Sequence, residues 1–225
     1  MTGGLVAILH TGTVAAPLLR WARTLPRDVD LFLVEGNQIA RQRNMAIEAV
    51  TGAGAEWVLF LDSDCLPPFD ALPRLRALEV PIASAIVCER YPPWRPTAVR
   101  SLDPPVRWAL ADLPGDGPLQ VAATGAGCLL VRRAVWETLS PPWFRCGQIV
   151  QDLLLEDTEF CLRASHAGIP TVLDCGVRVG HRIAFGTVWP GRDGRHWMEY
   201  SGPGDIRVPL DVTEPEPALT GELTP

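Results

Sequence analysis

The sequence contains no lysine, so its 20 strongly basic side chains are all arginine. That excludes a phosphate-loop lysine, a Schiff-base lysine and any other catalytic ammonium. Positive charge is also in deficit. With 26 acidic residues the net charge is −6, which argues against broad coating of nucleic acid and leaves room only for a local basic groove. No apolar run approaches the ~18 residues of a membrane-spanning helix. Met1 to His10 carries no basic leader, and its apolar run reads as a first strand instead of a signal peptide. The six cysteines (Cys65, Cys88, Cys128, Cys146, Cys161 and Cys175) include no Cys-x-x-Cys pair. Several sit inside apolar runs, as reduced core cysteines do, so the expected setting is reducing and cytoplasmic. There is no internal repeat.

What is present is enough for one core: 225 residues, 47% of them hydrophobic. A single domain is expected over 1–204. The acidic, Pro-rich tail at 205–225 has few large apolar groups and is expected to be disordered. The first sixty residues alternate. Strands are predicted at Leu5 to Leu9, Leu31 to Val34 and Trp57 to Leu61, with helices at Val14 to Thr24 and Ile39 to Val50 between them. That pattern predicts an α/β fold with a mostly parallel, Rossmann-like sheet flanked by helices. Further on, a helix is expected at Phe69 to Leu78, a strand at Pro81 to Val87 and a long excursion from Arg90 to Pro118. A buried strand at Cys128 to Val131 and short helices at Ala134 to Leu139 and Glu156 to Ala167 follow. The last short strand is read at Thr171 to Leu173, and Ile183 to Gly204 as loop.

The organising stretch is Trp57-Val58-Leu59-Phe60-Leu61-Asp62-Ser63-Asp64-Cys65. Five apolar residues read as a strand buried on both faces, and they run straight into two carboxylates. Ligands of open α/β sheets bind past the carboxyl ends of strands. There, Asp62 and Asp64 can converge on a hard divalent cation such as Mn²⁺ or Mg²⁺, which takes carboxylate oxygens and keeps sites open for phosphates. Asp-x-Asp alone is a weak pattern. A second copy, Asp28-Val29-Asp30, precedes its apolar run and reads as a solvated turn.

Four features fall in one order: Arg43-Asn44 in the helix before the central strand, Asp62-Ser63-Asp64 at its end, a Gly125-Ala126-Gly127 turn before a strand and Arg132-Arg133, then Glu156-Asp157 and a late His181. This order resembles the GT-A glycosyltransferases, and most closely the inverting family-2 group, over roughly residues 3 to 182. The resemblance implies the GT-A (nucleotide-diphospho-sugar transferase) fold. It implies transfer of a sugar from a nucleoside-diphosphate sugar, a UDP-sugar first, to an acceptor hydroxyl. Under it Asp64 binds the metal, and Asp62 contacts the ribose or the metal. Arg43 and Asn44 lie near the nucleotide; Arg41, read from its place in the same helix, is either a phosphate contact or a solvated side chain. Gly125 to Gly127 lets the backbone approach the sugar. Asp157 is the catalytic base, with Glu156 its adjacent alternative, and His181 is a third metal ligand or a diphosphate contact.

The chemistry suits these residue types. A divalent ion stabilises the leaving diphosphate without a lysine, arginines add bidentate phosphate contacts, and the acceptor hydroxyl needs a carboxylate to take its proton. Bland readings stand beside each: Asp157 as a helix cap, His181 as a satisfied core histidine, Gly125 to Gly127 as a tight turn, Arg132 and Arg133 as a solvated helix entry. Trp143, Trp189 and Trp197 fit either sugar stacking or the core. The rival haloacid-dehalogenase-like phosphatases also end an apolar strand in Asp-x-Asp. They carry Thr or Val where this chain has Leu66, and a supporting lysine that is absent here. A nucleotidyltransferase lacks its Gly-rich basic loop, since Leu9 to Thr13 matches poorly. A non-catalytic nucleotide- or carbohydrate-binding module is the remaining alternative. The acceptor is left open among a glycan, a small metabolite, a protein and a hydroxylated base of modified phage DNA. For DNA, Arg90, Arg95, Arg100 and Arg107 form the candidate groove.

Overall fold

The structure, a computed structural model, describes residues 3–145, 155–184, 186–200 and 206–210. Cys146 and, of the tail expected to be disordered, residues 205 and 211–225 lie outside the described residues. The predicted alternation is present: β1 (Gly4–His10), α1 (Ala16–Ala22), β2 (Val29–Glu35), α2 (Ile39–Ala53) and β3 (Trp57–Asp62). There follow β4 (Cys65–Leu66), α3 (Ala71–Ala77), β5 (Ile82–Ile86), β6 (Val99–Leu102), β7 (Pro105–Arg107) and β8 (Pro118–Val121). Then come β9 (Cys128–Arg132), α4 (Arg133–Thr138), α5 (Glu156–His166) and β10 (Thr171–Arg178). The main sheet has the order β2-β1-β3-β9-β5-β10-β8. β9 is antiparallel to both β3 and β5, and β8 is antiparallel to β10, so the other five strands share one direction.

Side-chain alternation along β3 positions the site. Trp57, Leu59 and Leu61 pack in the layer that holds Leu18 of α1 and Leu75 of α3. Val58 and Phe60 pack in the layer of α2 and α5, with Ile47, Val50 and Phe160. Asp62 is next in the second series, so its side chain is directed toward α2 and α5. Burying a side chain such as Phe60 contributes about 1.5–3 kcal/mol. Phe60 also meets Phe144 edge-on at 5.3 Å, and Phe144 stacks on Phe160 at 4.4 Å. That aromatic column ties β3 to α5, whose first residues are Glu156 and Asp157. The helix α2 ends at Gly54, with φ 68°, a left-handed conformation that glycine adopts without steric cost.

Two readings change. The stretch read as loop from Ile183 to Gly204 holds three strands: the end of β11 (Gly180–Ile183), then β12 (Gly186–Pro190) and β13 (His196–Tyr200). With β4 and β14 (Ile206–Leu210) they form an antiparallel sheet of order β14-β13-β12-β11-β4, so the start of the tail expected to be disordered from 205 is instead an edge strand paired with β13. The alternation is present in β13, where His196 and Met198 are buried while Trp197 and Glu199 are only half-buried. Glycines, prolines and polar residues between the strands hid it. The strand expected at Thr171 to Leu173 also runs on to Arg178, through an irregularity after Asp174. The excursion folds as the β6–β7 hairpin and a single 3-10 turn at Leu110–Asp112. It covers a third small core that includes Ile86, Ala98, Leu110 and Leu173.

Candidate active site

A cleft of about 520 Å³ opens past the carboxyl end of β3, and Asp62, Asp64, Arg43, Arg90, Glu156 and Asp157 are among the residues lining it. Its floor is an ion cluster. Arg43 lies on the buried stripe of α2 with Ala40, Ala46, Ile47 and Val50, and its side chain is only 2% exposed. It reaches Asp62 Oδ1 at 3.2 Å and forms a tight ion pair with Glu156. Burial works against the charged guanidinium, but Asp62, Glu156 and Asp157 outweigh it and raise the Arg43 pKa. Burial also raises Asp62 and Glu156, against the opposing charge of Arg43.

The second aspartate has different company. β11 pairs antiparallel with β4, setting His181 opposite Cys65. This brings His181 Nε2 to 3.4 Å from Asp64 Oδ2. His181 Nδ1–H donates to the Cys88 carbonyl at 2.6 Å, the anchoring that metal-binding histidines use to present the other nitrogen. Arg90 pairs with the same Asp64 oxygen. Burial would raise the Asp64 pKa, but the hydrogen bond and charge of His181 and the charge of Arg90 bring it below the usual value. Burial would lower His181, yet Asp64 and the Cys88 carbonyl leave it raised.

Asp64, Cys65 and His181 bring their ligand atoms within 4.8 Å of one another. Burial, with the neighbouring Asp62 and Asp64 carboxylates, pushes the Cys65 thiol well up, so it is a packed side chain and not a ready thiolate. The remaining carboxylate and imidazole suit a divalent cation such as Mn²⁺.

Glu156 and Asp157 open α5 side by side and differ in role. Glu156 is tied to Arg43. Asp157 Oδ1 accepts from the Thr158 amide at 2.7 Å, and Oδ2 from the Ala126 amide at 3.2 Å. The second bond fixes the glycine turn against α5. A Cβ at Gly125 would lie 2.9 Å from Thr97 Cβ. One at Gly127 would lie 3.0 Å from Cys65 Sγ and 3.5 Å from Asp62 Oδ2. Both glycines therefore admit neighbouring side chains, and neither is among the residues lining the cleft.

Other candidates are placed elsewhere. Asn44 exchanges two hydrogen bonds with the Phe144 backbone, at 2.7 and 3.0 Å. With the exposed Arg41 it borders a separate shallow depression. Arg132 donates to the Val80 and Arg76 carbonyls, and Arg133 to those of Gly54 and Ala55. Trp143 donates to the Trp136 carbonyl; neither it nor Trp189 or Trp197 lines the cleft. In the excursion Arg90 is held by Asp64 and Arg107 by Glu89, while Arg100 stacks over Trp108. The sequence reading missed Gln42, whose buried amide donates to the His10 and Val34 carbonyls at 3.0 and 2.7 Å, joining the ends of β1 and β2. It also missed the place of Arg90 beside Asp64. Position 42 on the buried side of α2 was the available signal for Gln42; Arg90 had none.

Residues 14–93 match the family model described as Glycosyl transferase family 2. That span contains Arg43, Asn44, Asp62 and Asp64, and supports a glycosyltransferase. No curated protein matches the chain. Among solved structures, A197 from STIV is similar with a TM-score of 0.61 and 18% identity, over 92% of this chain and 94% of that one. This is a likeness of fold. A glycosyltransferase involved in the glycosylation of the major capsid of PBCV-1 gives a TM-score of 0.32 at 13% identity, over 62% of this chain and 68% of that one, too low to argue from. The mixed α/β fold, a large mostly parallel sheet flanked by helices, is consistent with GT-A, and residues 14–93 are similar to glycosyltransferase family 2. No helix among the described residues is long and apolar enough to cross a membrane.

Proposed function

We propose that this protein transfers a sugar from a nucleoside-diphosphate sugar, with UDP as the first nucleotide to test, to an acceptor hydroxyl with inversion at the anomeric carbon. The observation that carries this reading is the meeting of Asp64 and His181 at the rim of a cleft whose floor holds Asp62, Glu156 and Asp157. Asp64 and His181 would hold the metal. When bound, Mn²⁺ or Mg²⁺ would stabilise the negative charge that grows on the leaving diphosphate. Arg90, half exposed and already at Asp64, can turn its guanidinium to phosphate oxygens. Arg43 keeps Asp62 fixed at the end of β3, where it would meet the ribose.

Asp157 is the proposed base. Each of its oxygens accepts one backbone amide strongly enough to be oriented, and a carboxylate oxygen retains a further lone pair to take the acceptor proton. Glu156 is committed to Arg43 and acts as a positioning residue. Direct attack by the hydroxyl inverts the centre and needs no second nucleophile. The buried free thiols of Cys65, Cys88, Cys128, Cys161 and Cys175 fit a reducing, cytoplasmic setting. A glycan or small-molecule acceptor is favoured over DNA, because Arg90, Arg100 and Arg107, suggested for a DNA groove, are engaged within the protein.

The test is transfer from UDP-sugars by Asp157→Asn and Glu156→Gln. Asp157→Asn is expected to bind UDP normally and lose at least ~10²-fold in turnover. Turnover near wild type in Asp157→Asn would remove it as the base. Loss confined to Glu156→Gln would move that role one residue back.

A further inference from the structure

A second cavity, about 630 Å³ in volume, lies beside the cleft across the β4–β11 ribbon. Its size is that of a small-ligand site. The ribbon divides the two because side chains alternate along paired strands. Cys65 and His181 group with Asp64, whereas Leu66 and Arg182 line the second cavity. From α1 comes Arg20, from the segment after β4 Phe69, and from β13 Tyr200. Phe69 is 74% exposed and Tyr200 42%. Neither ring is needed to fill the core.

The charge in this cavity is unbalanced. Glu199 is paired with Arg207 at 3.0 Å, and Arg207 lies over the Trp189 ring. The guanidinium groups of Arg20 and Arg182 have no hydrogen bond or ion pair among the described residues. Two guanidiniums without a partner among the described residues thus line one hollow on a protein of net charge −6. A guanidinium fork matches the planar oxygens of a carboxylate, and exposed aromatic rings offer flat apolar faces to the C–H side of a pyranose. A nucleic acid would call for a longer row of cations at phosphate spacing.

We infer that this cavity binds a carboxylate-bearing saccharide, the distal part of an acceptor whose reacting hydroxyl enters the neighbouring cleft. The acceptor role rests on the glycosyl-transfer reading; the binding site itself rests on the cavity alone. The leading end of the sugar crosses the rim at Leu66 and Asp64, and its acidic unit stays on Arg20 and Arg182.

The test is calorimetric titration of the full chain with a hyaluronan tetrasaccharide, which carries glucuronate, and with maltotetraose, which is uncharged and of equal length. Hyaluronan is expected to bind at least tenfold tighter than maltotetraose. It should lose at least tenfold in Arg20→Ala/Arg182→Ala and in Arg182→Gln, while both variants keep wild-type binding of UDP with Mn²⁺. Equal affinity for the two sugars, full hyaluronan affinity in both variants, no hyaluronan binding, or tighter binding of a single-stranded oligodeoxynucleotide at the same arginines would overturn the inference. Hyaluronan binding without any UDP binding would remove the transfer reading and leave the cavity site standing. UDP binding and transfer without hyaluronan binding would remove the cavity site alone.

Discussion

Asp62 and Asp64 are two residues apart at the end of one strand, and the protein treats them differently. Asp62 belongs to the α2–α5 layer, where Arg43 holds it together with Glu156. Asp64 lies beyond the strand, beside a histidine from a different sheet and an arginine from the excursion. The first carboxylate is structural anchorage with a surface toward the cleft. The second is held by partners that a ligand can displace. An Asp-x-Asp sequence therefore does not name two equivalent carboxylates; the layer that each side chain faces decides its partners.

The largest effect should come from breaking the anchored side. Arg43→Met leaves Asp62 and Glu156 buried without their cation and is expected to cost about 3–5 kcal/mol, read as a lower urea midpoint. Adding Glu156→Gln to that variant should recover part of the loss. An Arg43→Met protein as stable as wild type would show that the cluster is not a stabilising unit.

Asn44→Ala should have an intermediate effect. It removes both side-chain bonds to Phe144, expected to cost about 1–3 kcal/mol, and leaves UDP affinity unchanged because Asn44 does not line the cleft. Weaker UDP binding at full stability would return Asn44 to the nucleotide site.

The smallest effect belongs to the displaceable side without metal. The His181 pKa is raised in the folded protein, against burial, by Asp64 and the Cys88 carbonyl. Its contribution is therefore fully present below the unfolded value of about 6.5 and is lost as pH rises through the folded value. His181→Gln should be less stable than wild type by up to about 1 kcal/mol at about pH 5.5, and the gap should shrink by about pH 9. A gap that widens with pH would contradict the pairing.

The anchored side was the more legible in sequence. The apolar run of β3 and its period-two alternation place Asp62, and the α2 stripe of Ile39, Ala46 and Val50 contains position 43. Arg43 could be recognised by motif, but its partner Glu156 is 113 residues away, and no local pattern joins them. The displaceable side depends on β11 pairing with β4, a contact between two short strands that the sequence reading did not identify. Motif order predicted a late histidine, whereas its partner carbonyl at Cys88 and the neighbouring Arg90 come from tertiary structure alone. Asn44 shows the reverse case: a residue matched by motif whose side chain serves a backbone 100 residues distant.

The most direct measurement is thermal unfolding with UDP, with and without Mn²⁺, on wild type and Asp64→Ala. A ligand at about 100 times its Kd adds about 2.7 kcal/mol, roughly 5–10 °C for a chain of this size. The expected result is a shift in wild type that requires Mn²⁺ and is lost in Asp64→Ala, with little change in the variant's own Tm. An equal shift in Asp64→Ala, or one indifferent to Mn²⁺, would contradict Asp64 as the metal-binding carboxylate.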